Sequence, residues 1–254
     1  MVQASARVLS ALQSADLARA AVILIRGGIV ALPFNGMFAL FGDLEQPHVH
    51  ERIMAAKNRQ HDKRLAQVCL PEHANELVDF SQTPRPERDV IALWQEVHSL
   101  GMILPANRRD IAARERVQPS DGTTLLVWTE YPPLRRVLEQ FRALGGKALL
   151  ASSANRSGQP TATTTREVWR EFFTEIDAIV ADEFSHLPAQ RRQSTTIVDL
   201  TSAQPRLHRP GSVTPVELQT ALALHGFGPL QVGTVNGASR VVQTTSSMRV
   251  PSLV

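Results

Sequence analysis

Residues 51–70 read ERIMAAKNRQHDKRLAQVCL, with Lys57-Asn58-Arg59-Gln60-His61-Asp62-Lys63-Arg64 at the centre. The protein carries 27 lysines and arginines, yet only Lys57, Lys63 and Lys147 are lysine, so two of the three fall in this octet. Lysine is a compact hydrated point charge on a flexible stem, whereas arginine is a flat fork that takes two phosphate oxygens at once. A site for a triphosphate uses both. Upstream, Pro47 suits the first position of a helix, and Val49, Ile53 and Ala56 recur at helical spacing, so the helix is expected to end near Asn58 with Lys57 in its last turn. The octet is then a loop, and Leu65–Leu70 reads as a short apolar strand ended by Pro71. Two roles for the loop stay open at this level. Lys57 and Arg59 either complement the negative end of the helix dipole, worth about 0.3–1 kcal/mol, or bind phosphate.

A chain of 254 residues, 43% hydrophobic and 20% charged, is that of a globular protein with one large α/β domain or two small ones. Its one cysteine, Cys69, excludes an intrachain disulfide, and the apolar strand around it points to a buried, inert thiol in a reducing compartment. No apolar run reaches the roughly 18 residues of a membrane span, and the N-terminus lacks the apolar segment of a signal peptide, so the expected location is the cytoplasm. His48, His50, His61 and His73 share no ligand spacing, and no protein-held metal site is expected. The net charge of +3 is small, but a pI near 9.6 leaves room for a polyanionic partner such as RNA.

Outward from the octet, Leu17, Ala21 and Leu24 form a helical stripe that Gly27-Gly28 stops, and Ile29–Pro33 reads as a strand. Phe34-Asn35-Gly36-Met37-Phe38 is expected to be the loop from that strand to the octet's helix. Downstream, Val90, Trp94 and Val97 share one helix face that Gly101 ends, and Met102–Leu104 is a candidate strand. Residues 105–122, polar and rich in arginine, form a long loop, either a lid or a solvated insertion. Thr123–Trp128 is a strand, Leu134 to Leu144 a helix, and Lys147–Ala151 a strand leading into Ser152-Ser153-Ala154-Asn155-Arg156-Ser157-Gly158, dense in small hydrogen-bonding side chains. Thr164 with Glu167, and Thr214 with Glu217, make capping boxes. Ala178–Ala181 and Thr195–Leu200 read as strands, and Thr195–Arg209 as two strands joined without a helix. Trp94 and Trp169 are expected to serve packing. The alternation predicts one α/β domain over residues 1–226 with a mixed sheet, and a tail over 227–254, mobile or at most a weak hairpin around Asn236-Gly237.

Four motifs in order then suggest a family. Lys57-x-Arg59 with Asp62-Lys63, Ser153-x-Asn155-x-Ser157-Gly158, Thr195-Thr196-Ile197-Val198-Asp199 and Arg209-Pro210-Gly211 resemble the K-x-R…D-K, S-x-N-x-S-G, S-T-V-V-D and R-P-G pattern of the YrdC-like, threonylcarbamoyl-AMP synthase family, over about residues 15–225. The resemblance implies a twisted sheet flanked by helices around a deep basic cavity. In that family ATP, bicarbonate and L-threonine become threonylcarbamoyl-AMP and pyrophosphate, and a threonylcarbamoyl transferase complex carries the group to adenosine 37 of tRNA. By this resemblance Lys57, Arg59 and Arg209 are the catalytic cations, neutralising the polyphosphate and the charge that grows on pyrophosphate. Lys63, Ser153, Asn155, Ser157, Thr195 and Thr196 are the nucleotide-binding candidates. Magnesium would be held mainly by the phosphates.

The departures lie on one side. Where the family has P-T-D-T or P-T-E and then an aromatic, this chain has Pro33-Phe34-Asn35-Gly36-Met37-Phe38, and in the strand of V-R-V-P it has Leu126-Val127-Trp128-Thr129, with Trp128 standing where the family has an arginine. An indole cannot imitate a bidentate guanidinium–carboxylate contact. Phe34, Asn35, Phe38 and Trp128 are therefore the candidates for a remodelled substrate pocket. Two functions stay open: an enzyme forming threonylcarbamoyl-AMP or a related carbamoyl adenylate from L-threonine or another amino acid, or a non-catalytic protein that binds nucleotide, tRNA or double-stranded RNA.

Overall fold

A computed structural model of the protein describes residues 6–58, 65–97, 99–107, 121–181 and 193–233, with the backbone of 240–241. Its strands are β1 (Arg7–Ser10), β2 (Val30–Phe34), β3 (Met37–Asp43), β4 (Ala66–Val68), β5 (Leu100–Pro105), β6 (Thr123–Trp128), β7 (Leu149–Ser153), β8 (Ala178–Ala181), β9 (Thr196–Asp199), β10 (Arg206–Arg209), β11 (Gln231–Val232) and β12 (Arg240–Val241). They form one mixed sheet in the spatial order β1-β8-β2-β3-β7-β4-β6-β5-β9-β10-β11-β12. Helices α1 (Ser14–Ile25), α2 (Pro47–Ala56), α3 (Glu87–Glu96), α4 (Pro132–Ala143), α5 (Thr165–Phe172) and α6 (Pro215–Leu224) flank it. The result is the expected single α/β domain.

Local chemistry accounts for most of these elements. Helix α2 starts at Pro47, buries Val49, Ile53, Met54 and Ala56, and is capped by Lys57. It stops there because Asn58 takes the left-handed conformation, φ 48°, which a short polar side chain tolerates. Both capping boxes form: the Thr164 and Thr214 hydroxyls accept from the amides of Glu167 and Glu217, whose carboxylates accept in return. Each such cap contributes about 1 kcal/mol. Trp94 donates from Nε1 to the Leu100 carbonyl at 3.1 Å, anchoring α3 beneath β5.

Three expectations are corrected. Residues 34–38 are no loop: Phe34 pairs with Met37, and Asn35 (φ 54°) and Gly36 (φ 74°) make a two-residue hairpin turn into β3, a strand that is apolar up to Asp43 because both faces are covered. Gly101 does not end α3, which closes at Val97. Gly101 lies within β5, where a Cβ would come 3.1 Å from Ile197 Cγ1 and 3.2 Å from Val127 Cγ1, so its bare backbone lets these side chains close over it. The domain also runs past residue 226. Phe227 and Leu230 are buried, the Leu230 amide donates to Gln219 Oε1 at 2.6 Å, and β11 pairs in parallel with β10. Strand β12 pairs antiparallel with β11, while residues 234–239 between them, including Asn236-Gly237, lie outside the described residues.

Ion pairs tie the periphery together and set an acid limit. Arg156 donates to Glu171 Oε1 (2.9 Å), Glu175 Oε1 (2.8 Å) and the Ala56 carbonyl (2.7 Å), joining the end of α2 to α5. Burial raises the Glu175 pKa, but hydrogen bonds from Arg156 and Thr174 outweigh it and hold this carboxyl below its usual range. Glu76, beside Arg142, and Glu167, in its capping box, are also lowered. Asp43 moves the other way, raised by burial. A lowered carboxyl contributes stability that is present above its unfolded pKa and lost as pH falls through the folded one. Three lowered groups against one raised group predict that the urea midpoint falls as pH drops below about 4.5, the ordinary glutamate value. Glu175→Gln should flatten that fall, and an unchanged slope would refute Glu175's share.

Candidate functional site

A cavity of about 140 Å³ opens on one face of the central sheet. Its floor follows from strand register. Ala39 pairs with Ser153, Ala151 with Ala66, Val127 with Gly101, and Gly101 with Ile197, and directly paired residues share a face. Small residues at 39, 66 and 151 leave the hollow that larger side chains would fill. Phe34, Met37 and Phe38 of the β2–β3 hairpin wall one side, Leu125 and Val127 another, and Ser152, Ser153, Ser194, Thr195 and Arg209 form the polar rim. Asn35 bridges across the opening, donating from Nδ2 to Ser212 Oγ at 3.1 Å and to the Gln193 carbonyl at 3.3 Å. The hairpin tip is thereby tied to the segment that follows Arg209.

Arg209 reaches the cavity through a β-bulge. In the β9–β10 ladder Leu207 opposes Val198, yet Arg209 opposes Ile197, because the register slips between them. Without the slip, residue 209 would share the face of Leu207, away from the cavity. The extra residue re-aims the arginine, as bulges beside functional sites do. Its guanidinium donates to the Thr195 carbonyl from Nη2 at 2.9 Å and from Nε at 3.3 Å.

The other candidates divide. Phe34, Phe38, Ser153 and Thr195 line the cavity. Thr196 is buried on the opposite face of β9, where its hydroxyl donates to the Val213 carbonyl and accepts from the Val213 amide, both at 2.9 Å, so it straps the chain after Gly211 to the sheet. Trp128 is also turned away by strand alternation. It is 1% exposed, donates to Glu130 Oε1 at 3.0 Å and meets Trp94 edge-on at 6.3 Å, so it is a core residue and not a pocket wall. Arg59 and Lys63 lie outside the described residues.

Lys57 differs most from expectation. It is 2% exposed, and its ammonium donates to the Ser153 carbonyl, to the Asn155 carbonyl at 2.6 Å and to Asn155 Oδ1 at 3.2 Å. An ammonium has three donors, and three loop oxygens take them. Lys57 thus stands behind the rim and shapes it. Asn155 Oδ1 also accepts from Ser153 Oγ at 2.6 Å, and Asn155 Nδ2 donates to the Gln159 carbonyl at 2.8 Å, while exposed Ser157 donates its amide to the Lys57 carbonyl at 2.9 Å. Asn155 and Ser157 set the shape of the loop outside the cavity lining. Lys57→Met, similar in length but without donors, should cost about 2 kcal/mol, since hydrogen bonds from a charged donor are lost and partly buried acceptors lose their partner. Urea unfolding measures this, and a loss under 0.5 kcal/mol would show that the ammonium does not hold the loop.

Beyond Phe34 and Phe38, sequence reasoning missed the apolar lining, Met37, Leu125, Val127 and Ile197 among it, although an Asn-Gly pair between apolar runs signalled the hairpin that supplies part of it. It also missed Arg156 as the link between α2 and α5. Among the described residues there is no group of three His, Cys, Asp or Glu placed to hold a metal ion, and no helix long and apolar enough to cross a membrane.

Comparison with known proteins agrees with this architecture. A threonylcarbamoyl-AMP synthase of Xanthomonas euvesicatoria pv. vesicatoria is 29% identical over 191 residues, covering 74% of this chain and 95% of its own length. One from Vibrio campbellii is 27% identical over 174 residues, covering 67% of this chain and 89% of its own. The crystal structure of P. abyssi Sua5 complexed with L-threonine superposes with a TM-score of 0.72 at 21% identity, over 85% of this chain and 60% of that longer one, a likeness of fold. The model of the Sua5/YciO/YrdC family, described as "Telomere recombination", matches residues 22–211, and the chain therefore belongs to the Sua5/YciO/YrdC family.

Proposed function

We propose that the protein condenses an amino acid, bicarbonate and ATP into a carbamoyl adenylate, threonylcarbamoyl-AMP or a relative of it, for modification of adenosine 37 in tRNA. The supporting observation is that Ser153, Thr195 and Arg209, from three separate motifs, meet at one cavity. The amino nitrogen attacks the carbon of bicarbonate, and water leaves to give a carbamate. A carbamate oxygen then attacks the α-phosphorus of ATP, the bond to the β-phosphate oxygen breaks, and pyrophosphate departs. No side-chain nucleophile is needed. Arg209 at the rim, with Arg59 and Lys63 as further cations, would stabilise charge on the pyrophosphate, while Ser153 and Thr195 hold polar groups of the nucleotide. Lys57 contributes by holding the Ser153–Asn155 carbonyls in place. Magnesium would arrive with the triphosphate and offset its charge, being a cation usually held through phosphates and a few carboxylates.

A second reading, a nucleotide- or RNA-binding protein without turnover, draws support from the internal use of the Lys57 ammonium. The two separate by experiment. The enzyme reading expects pyrophosphate release that requires an amino acid together with bicarbonate, and nucleotide binding without turnover under every amino acid tried would sink it.

A further inference from the structure

Helix α1 is apolar on both sides. Leu17, Ala20, Ala21 and Leu24 are buried in the core. At about 3.6 residues per turn the opposite face carries Ala15, Ala18, Val22 and Ile23, where a surface helix ordinarily presents polar groups. That outer face, together with Arg7 of β1, lines a groove of about 280 Å³ that also takes in Arg19 and Arg26. The groove shares no residue with the cavity at Arg209. Its charged residues are all arginine, and all are exposed. Arg19 bonds Asp16 at 3.1 Å while its side chain stays 70% exposed, and Arg7 and Arg26 have no ion-pair partner among the described residues.

We propose that this face docks an acidic amphipathic helix of a partner protein, whose apolar row packs on Ala15, Ala18 and Val22 and whose carboxylates meet Arg19, Arg26 and Arg7. Arg19 and Arg26 stand two turns apart, about 10.5 Å along the axis, so carboxylates at the same spacing on the incoming helix match both at once. Helix axes pack about 8–10 Å apart according to the side chains between them, and alanine at 15 and 18 allows the short end of that range. Other occupants fit less well. The outer edge of β1 is blunted against strand addition, because the Ser10 amide already donates to Asp16 Oδ2 at 2.9 Å. A second copy of α1 would bring arginine against arginine, since the helix's one acid, Asp16, is already held by Arg19 and by that amide. None of the stretches of this chain outside the described residues carries a net negative charge. A nucleic-acid backbone calls for a row of cations, and four of the seven lining residues are apolar. The contact lies apart from the proposed chemistry and holds whether or not the chain forms a carbamoyl adenylate.

The test uses the full chain and fluorescence anisotropy with labelled probes. One is a helical peptide of about three heptads with leucine at the packing positions and glutamate beside them, the second is the same peptide with lysine for glutamate, and the last is a duplex RNA. Saturable binding of the glutamate peptide, weakened by salt and tighter than that of either other probe, is the expected result. Arg26→Glu and Arg7→Glu, at exposed positions on different elements, should each weaken it about fivefold or more, the size of an exposed ion pair exchanged for a like-charge contact. Their melting temperatures should match wild type, as exposed substitutions ordinarily do. Failure of the glutamate peptide to bind overturns the proposal, and so does binding that both substitutions leave within about twofold of wild type. Tighter binding of the RNA, lost in the same variants, overturns it in favour of a nucleic-acid surface. A concentration-dependent dimer that Val22→Arg disperses overturns it in favour of self-association.

Discussion

Arg209→Ala is expected to lower pyrophosphate release by about 10²–10³-fold, with little change in melting temperature. The guanidinium sits at the rim, is exposed, and is steadied by two hydrogen bonds to one carbonyl. A donor fixed before the reaction at a place where charge develops is worth roughly 2.7–4 kcal/mol of barrier, because it need not reorganise as pyrophosphate leaves. Its removal uncovers little apolar surface, and an exposed substitution ordinarily shifts stability by about 0.5 kcal/mol or less. Arg209→Lys should recover only part of the rate, since an ammonium cannot reproduce the two-pronged grip that holds the charge in position. Turnover within threefold of wild type in Arg209→Ala, measured with saturating ATP, would remove this residue from the chemistry.

Two positions on, Gly211→Ala should act on the fold instead of the charge. A Cβ there would lie 2.0 Å from the Ser194 carbonyl oxygen, 2.5 Å from the Thr196 amide nitrogen and 2.6 Å from the Thr195 carbonyl carbon. All three are backbone atoms, so no rotamer change makes room, and the chain after β10 must move away from the chain before β9. That movement strains the Ser212 amide's bond to the Ser194 carbonyl and the Thr196 strap to Val213. Overpacking of this kind costs about 3 kcal/mol, the upper end of the usual range because the obstacle is main chain. For a protein of this size that lowers the melting temperature by roughly 6–12 °C. Ligand binding should weaken as well, because Ser194, Thr195 and Arg209 all ride on the displaced segments. A melting temperature within 2 °C of wild type would show that these strands are not packed as closely as described.

The R-P-G motif thus combines a charge whose use the sequence suggested with a steric requirement it concealed. Much of the fold was legible for a local reason. Helix stripes, the capping boxes at Thr164 and Thr214, and the stop at Asn58 each depend on residues within a few positions of one another, so the expected ends of α2 fell within two residues of those observed, and α5 begins directly after its expected cap at Thr164. The hairpin at Asn35-Gly36 was equally local, but its strands are apolar on both faces, and period-two alternation, the usual signature, is erased when both faces are covered. Three of the residues that line the cavity, Ser153, Thr195 and Arg209, lie within the motifs read from the sequence.

By itself the sequence determined the family motifs, the order of the helices with most of the strands between them, and the cluster of cations around residue 57, because these are properties of neighbours along the chain. Only the tertiary structure decided which side chains face the hollow. A one-residue slip between β9 and β10 turned Arg209 into it, strand parity turned Thr196 and Trp128 away, and the loop oxygens nearly a hundred residues downstream captured the Lys57 ammonium. Register and burial are set by contacts between distant segments, and a side chain's face reverses with a shift of one residue, so spacing along the chain cannot supply it.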